Sequence, residues 1–390
     1  MNLSYDEQHL AFESELKAFL KERWTALGTR QKESVAAFRR QATERGYLYR
    51  SIPRQYGGSE QPADAIKARI IDEQFTRAKA PREVPGNGTT MLVPVLLECG
   101  TPWQKEHFIP RTVTGEFRWA QGYSEPGSGS DLASLRTRAE LVGDEWVING
   151  QKIWTTRANE SNYMFALVRT EPNAPKHQGL SYVLLDFRQP GVKVRPIRQI
   201  SGESEFCEVF LDDVRTPADW IVGDRGQGWA VSKVNLKHER NAVGAAGRSG
   251  AMFRSLIGLA KRARINGRPA IEDPMVRERI AVVDGYLQAQ YYAGLHQETL
   301  TVDGRSTGIL GLCNKLNNTN IGQMIAAIAS DLGGEALLQM PADTGEVGDE
   351  RWIRQVMGSL GLSIAGGTSN IQRNIIAERG LGLPRDGKEA

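Results

Sequence analysis

Gln121-Gly-Tyr-Ser-Glu-Pro-Gly-Ser-Gly-Ser-Asp131 is the stretch around which the rest of the sequence arranges itself. Ser124-Glu-Pro-Gly127 has the composition of a tight turn, because proline presets φ and glycine adopts positive φ without a steric cost. Gly127, Ser128, Gly129 and Ser130 then offer a run of backbone N–H groups and small hydroxyls with no bulk above them. A flat or phosphorylated ligand can come close to main chain of that kind, although the same composition also suits an ordinary loop.

Outward from this stretch, hydrophobic periodicity divides the chain into three. Residues 1–117 read as helical. Ser4-Tyr-Asp-Glu7 fits a capping box, and Phe12, Leu16, Phe19 and Leu20 recur on one helical face. A helix through Met91–Leu97 is expected to stop at Cys99-Gly-Thr-Pro102. Over residues 118–225 the period changes to short β-branched or aromatic runs separated by proline, glycine and asparagine. Trp146-Val-Ile, Asn149-Gly150 and Gln-Lys-Ile-Trp154 read as a hairpin on a type I′ turn. Tyr163–Arg169, Leu180–Asp186, Val192–Ile197 and Glu208–Val214 are further strands, which suggests an antiparallel sheet or small barrel. Residues 226–390 return to helical periodicity, with breaks at Gly267-Arg-Pro269 and around Gly345–Gly348. The expected class is α+β.

The 390 residues are 40% hydrophobic and 24% charged, an ordinary globular composition, and a net charge of +3 is too small to argue for nucleic acid. No run of 18 apolar residues is present, so no membrane span is expected. Met1-Asn-Leu-Ser-Tyr-Asp-Glu7 has neither a basic nor an apolar leader region. Cys99, Cys207 and Cys313 are too scattered for a disulfide framework or a metal site, and a cytoplasmic location is the expectation.

Three segments in series carry a resemblance: Gln121–Asp131, then Trp146-Val-Ile-Asn-Gly-Gln-Lys-Ile-Trp-Thr-Thr156, then Gly366-Gly-Thr-Ser-Asn-Ile-Gln-Arg-Asn-Ile-Ile-Ala-Glu-Arg379. In this order and at these separations they resemble the acyl-CoA dehydrogenase family of flavoproteins over essentially the whole chain. The resemblance implies an N-terminal α-helical domain (1–117), a middle β domain (118–225) and a C-terminal four-helix bundle (226–390) that mediates oligomerisation. It further implies FAD as cofactor, an acyl-CoA thioester as substrate and oxidation between Cα and Cβ. An electron-transferring flavoprotein is implied as acceptor. The assembly implied is a homodimer or homotetramer, or a heteromer with a paralogous subunit.

The resemblance also assigns residues. Gln121, Tyr123, Ser124, Gly129 and Ser130 match the segment against the flavin ring, with Ser124 a hydroxyl donor and Ser130 near substrate. Trp154, Thr155 and Thr156 match the segment beside the ring. Thr368, Ser369 and Asn370 match positions that contact flavin or its diphosphate, and Gly366 and Gly367 lie where the thioester approaches. Many relatives place a glutamate directly before Gly-Thr-Ser, but here that position is Gly366, which cannot take a proton. A subset instead carries the glutamate before an arginine on the first C-terminal helix, and this chain has Lys237-His-Glu-Arg240 there. Glu239 is therefore the candidate base and Arg240 a substrate contact.

Glu239 tops a stripe of mostly small residues, Ala242, Val243, Ala246 and Gly250. A carboxylate beside an apolar ligand in such a hollow has its charged form disfavoured, which raises its pKa toward a useful range. The alternative is that Glu239 is one more solvated helix carboxylate, and the base reading is the one favoured. The rival acceptor His238 points about 100° away on the helix. Two departures weaken cofactor contacts. The arginine that reaches the diphosphate falls at Ala263, leaving Arg262 and Arg264 on either side, and Gln-x-x-Gly-Gly appears as Ser330-Asp-Leu-Gly333-Gly334. A catalytically silent FAD-binding subunit and a non-redox acyl-CoA binding module are the alternatives.

Overall fold

The computed structural model describes residues 5–24, 32–243, 246–302, 304–338 and 351–384. Their side chains are described except at 32, 33, 237–243, 246–248, 298, 301, 302, 336, 338 and 351. The chain forms two compact units, Met1–Ile197 with Glu205–His238, and Arg198–Ser204 with Glu239–Ala390.

Among the described residues of the first unit, five α-helices precede the sheet: α1 (Glu7–Arg23), α2 (Lys32–Glu44), α3 (Ala65–Ala78), α4 (Val93–Cys99) and α5 (Pro102–Thr114). Leu16, Phe19 and Leu20 of α1 are buried as the periodicity requires, with Phe12 packed at the margin. The cap is Asp6, whose carboxylate accepts from His9 N at 2.8 Å, and the expected Ser4 lies outside the described residues. The capping box belongs instead to α5. Thr101 and Gln104 bond reciprocally there, with Pro102 in the first turn after α4 stops at Gly100.

The strands are β1 (Trp119–Gly122), β2 (Arg138–Val142), β3 (Glu145–Thr156), β4 (Tyr163–Arg169), β5 (Leu180–Asp186), β6 (Val192–Ile197), β7 (Phe206–Pro217) and β8 (Ile221–Val222). They order β6-β7-β3-β2-β4-β5-β8 in one sheet, with β1 on β4. The sheet is mixed, not purely antiparallel, because β1 pairs with β4 in parallel. β4 and β5 are buried on both faces: Tyr163, Phe165, Leu167, Tyr182 and Leu184 join the helix-side core, while Met164, Ala166, Val168, Val183 and Leu185 face a second core.

The hairpin expected at Asn149-Gly150 does not form. β3 runs through it with a register shift, and the β2–β3 turn is at Gly143-Asp144. Asn149 exchanges two 2.9 Å hydrogen bonds with Asp213 of β7. A Cβ at Gly150 would stand 2.7 Å from Thr137 Cα, so this glycine serves close backbone approach.

Helix α6 (Gly228–Val243) leads into the second unit. There α7 (Ala246–Arg262), a two-stranded turn β9 (Arg264–Ile265) and β10 (Arg268–Pro269), α8 (Pro274–Val302), α9 (Leu310–Gly333), α10 (Arg351–Leu362) and α11 (Ser369–Ile375) follow. Four helices share one core, in which Leu256, Leu259, Val283, Ile321, Ile325 and Trp352 are buried. α8 and α9 are antiparallel: Asn314 donates to Gln297 at 2.8 Å near one end and Arg279 meets Asp331 at 2.6 Å near the other. The break expected at Gly267-Arg-Pro269 is the β9–β10 turn, whereas that at Gly345–Gly348 lies outside the described residues.

Candidate functional site

In the first unit the glycine-rich stretch begins where β1 ends. Glu125 N donates to Ser128 O at 2.9 Å and Ser128 N to Glu125 O at 3.0 Å, closing a turn over Pro126-Gly127. Ser124 O accepts from Ile153 N at 2.9 Å, which ties this turn to β3. Beneath it lies an ion pair that the sequence reading passed over. Lys152, fully buried, donates to Glu125 Oε1 at 2.9 Å, Leu167 O at 2.7 Å and Tyr123 O at 3.2 Å. Glu125 also accepts from the N–H groups of Arg136 at 2.6 Å and Thr137 at 2.8 Å.

Burial pulls the Lys152 ammonium down to about 8 despite the carboxylate beside it. Burial pushes the Glu125 carboxyl up, but Lys152 and the N–H donors outweigh that and hold it below its usual range. Period two marks Lys152 as inward-facing, on the side of Trp146 and Ile148, and an inward lysine requires a counter-charge. That alternation was the legible signal.

The turn thus presents a rigid, uncovered edge. A Cβ at Gly127 or Gly129 would meet no atom of the described residues within 4 Å. Tyr123 is buried with its ring edge-on to Phe165 and Tyr182, and Gln121 Nε2 reaches Asn235 Oδ1 at 3.4 Å. Ser130 is exposed and Ser124 half-buried.

On β3 the register against β7 shifts between Lys152 and Thr155. Trp154 sits in this irregularity with φ of 58° and is 57% exposed. A bulky residue in the left-handed region costs about 1–3 kcal/mol, and such outliers cluster where a ligand is held. Beside it Thr155 is fully buried, with no hydrogen-bond partner for its hydroxyl among the described residues, and Thr156 is half-buried. The first unit therefore brings Gln121, Tyr123, Ser124, Gly129 and Ser130 together with Trp154, Thr155 and Thr156 through the Ser124–Ile153 bond.

In the second unit the candidates separate into two places. Gly366, Gly367 and Thr368 lie in the turn between α10 and α11, and Ser369 and Asn370 open α11. Gly366 and Gly367 have φ of 65° and 86°, the Thr368 hydroxyl accepts from Ile371 N at 3.2 Å, and Thr319 of α9 donates to Leu362 O at 3.2 Å below the turn. Arg264, Gly333 and Gly334 lie at the other end of the bundle. Arg264 is exposed on β9, donating to Lys261 O at 3.2 Å, and Gly334 ends α9 with φ of 49°. Fourteen residues of α9 between Thr319 and Gly333 span about 21 Å.

Lys315, one turn before Thr319, is buried with no partner for its ammonium among the described residues, and burial and then Arg373 push it down. Glu239 and Arg240 belong to α6 by backbone, but their side chains lie outside the described residues, as do those of Ala242, Val243 and Ala246. Among the described residues no group of three or more His, Cys, Asp or Glu side chains could hold a metal ion, and no helix is long and apolar enough to cross a membrane.

Family models for the N-terminal, middle and C-terminal domains of acyl-CoA dehydrogenase match residues 6–116, 120–214 and 226–381. The chain is 44% identical over 318 residues to the acyl-CoA dehydrogenase IpdE1 of Mycobacterium tuberculosis, covering 81% of this chain and 80% of that one. Among solved structures, the ChsE4–ChsE5 complex of Mycobacterium tuberculosis is similar with a TM-score of 0.79 and 28% identity, covering 99% and 100% of the two chains. The Tcur3481–Tcur3483 steroid acyl-CoA dehydrogenase gives a TM-score of 0.80 and 27% identity over 99% and 100%.

Proposed function

The chain belongs to the acyl-CoA dehydrogenase family and is an FAD-dependent oxidoreductase acting on acyl-CoA thioesters; from that premise we propose that it forms the trans-2-enoyl-CoA with Glu239 as base. The observation that carries the assignment is Gly366. It has no side chain and a φ of 65°, so the turn that bears a glutamate in many relatives offers no proton acceptor at that position. The Glu239-Arg240 pair on α6 is the remaining match to the family's chemistry.

When bound, FAD supplies the acceptor for the β-hydride. The residues of the first unit fit it. The uncovered edge of Gly127 and Gly129 admits a flat ring, the exposed Trp154 offers an apolar face, and the unpaired Thr155 hydroxyl gains a partner. Glu239 takes the α-proton, Arg240 and Ser130 contact the substrate, and the Gly366 N–H donates to the thioester carbonyl as negative charge develops there. Thr368, Ser369 and Asn370 contact the flavin side, while Arg264, Gly333 and Gly334 serve the cofactor of a neighbouring subunit. Their separation from Gly366 along α9 supports that division.

A branched, cyclic or steroid-type acyl group is the substrate class, supported by the similarity to a structure described as a steroid acyl-CoA dehydrogenase. Electrons leave to an electron-transferring flavoprotein. Replacing Glu239 with Gln is expected to leave the protein yellow and to abolish bleaching by substrate, and retained bleaching refutes the base.

A second reading is favoured by two observations. Ala263 and Ser330 remove cofactor donors, and one similar structure is described as the ChsE4–ChsE5 complex. In this reading a paralogous subunit completes the FAD site. Full flavin occupancy and turnover in the homogeneous protein exclude it.

A further inference from the structure

We propose that Gln372 is a positioning residue, which locks the Gly366–Thr368 main chain so that the N–H groups of Gly367 and Thr368 join that of Gly366 in polarising the thioester carbonyl. The assignment rests on the dehydrogenase reading above but concerns a side chain to which that reading gives no role. Gln372 is 1% exposed, and its Nε2 donates to Gly366 O at 3.0 Å and Gly367 O at 3.3 Å. Two carbonyl oxygens can only accept, so the amide must turn its nitrogen toward them.

The remaining hydrogen bonds of the turn leave a definite surplus. Ile364 N and Ala365 N donate to Gly361 O, Ser369 N to Ser363 O at 2.8 Å, Ile371 N to Thr368 Oγ1 and Gln372 N to Thr368 O. The N–H groups of Gly366, Gly367 and Thr368 donate to no described residue. No peptide here is cis, so the N–H of residue i+1 points opposite to the C=O of residue i. Drawing the carbonyls of Gly366 and Gly367 onto Gln372 therefore directs the N–H groups of Gly367 and Thr368 away from it. Successive free N–H groups beside left-handed residues are what an oxygen bearing developing charge requires. Positive φ alone does not fix them, because glycine pairs are free to flip. The clamp is also tight: a Cβ on Gly367 would stand 2.6 Å from Gln372 Nε2.

The test uses the FAD holoenzyme with cyclohexanecarbonyl-CoA and its thioether S-(cyclohexylmethyl)-CoA, which lacks only the carbonyl oxygen. The wild type is expected to bind the thioester roughly tenfold more tightly, the worth of one good hydrogen bond. Gln372→Met, which keeps the volume, brings the ratio near one while thioether affinity and flavin absorbance stay unchanged. Gln372→Leu, which likewise has no N–H to offer the two carbonyls, does the same. An unchanged ratio in both variants overturns the proposal. So does an equal loss of thioether affinity, which reports a general packing role. If the wild type discriminates and the variants do not, yet no thioester bleaches the flavin, the dehydrogenase reading fails and the clamp stands.

Discussion

Replacing Glu125 with Gln keeps the shape of the side chain and strands a fully buried ammonium. Lys152 would retain only the carbonyls of Leu167 and Tyr123, at 2.7 and 3.2 Å. Removing one partner of a buried pair costs about 3–5 kcal/mol, since the remaining charge is neither solvated nor compensated. A unit of this size loses about 2–4 °C in Tm per kcal/mol, so a drop on the order of 10 °C is expected. Adding Lys152→Met should restore most of it, because the double variant buries no charge. Circular dichroism melts of the four proteins at pH 7 form the cycle. A single variant within 2 °C of wild type, or a double variant worse than either single, refutes the reasoning.

The sign of the pH dependence follows. Glu125 has a lowered folded pKa, so its contribution is complete above the unfolded value of about 4.5 and is lost as pH falls through the folded value. Lys152 is lowered from 10.5 to about 8, so the unfolded chain binds more protons between those values. The lysine therefore makes stability rise with pH in that window.

Two further outcomes concern the cofactor. Thr155→Val should leave Tm unchanged or slightly raised, because it deletes a buried hydroxyl that has no partner, while FAD affinity falls roughly tenfold; equal FAD affinity by fluorescence titration contradicts the flavin contact. Gly129→Leu, at an exposed position where an added Cβ meets no atom of the described residues within 4 Å, should fold normally, but it is expected to purify with little flavin, as read from the ratio of visible to protein absorbance. Full occupancy there would move the ring elsewhere.

Much of the fold was legible because short β-branched or aromatic runs bounded by proline, glycine and asparagine mark strands: β4, β5 and β6 fall on the expected residues. Asn149-Gly150 misled because the turn chemistry that closes a hairpin also suits a bulge, and the deciding partner, Asp213, is 64 residues away. The parallel pairing of β1 with β4 depends on a crossover that no local pattern announces. At the site, composition revealed the uncovered glycines but not what holds them. Lys152 was readable as an inward lysine, whereas its partner Glu125 stands beside a proline in a stretch that reads as surface turn. Gln372 gave no signal, since a glutamine in a polar helix is usually solvated and only the tertiary turn buries it.

The central claim is that this chain dehydrogenates an acyl-CoA with Glu239 as base. Its most direct test is an anaerobic titration of the wild type and Glu239→Gln with a panel of branched, cyclic and steroid-type acyl-CoAs, following the flavin band. The account predicts bleaching of the wild type by at least one class and none of the variant, with equal flavin content in both. A variant that bleaches like the wild type, or a fully yellow wild type that no thioester bleaches, contradicts it.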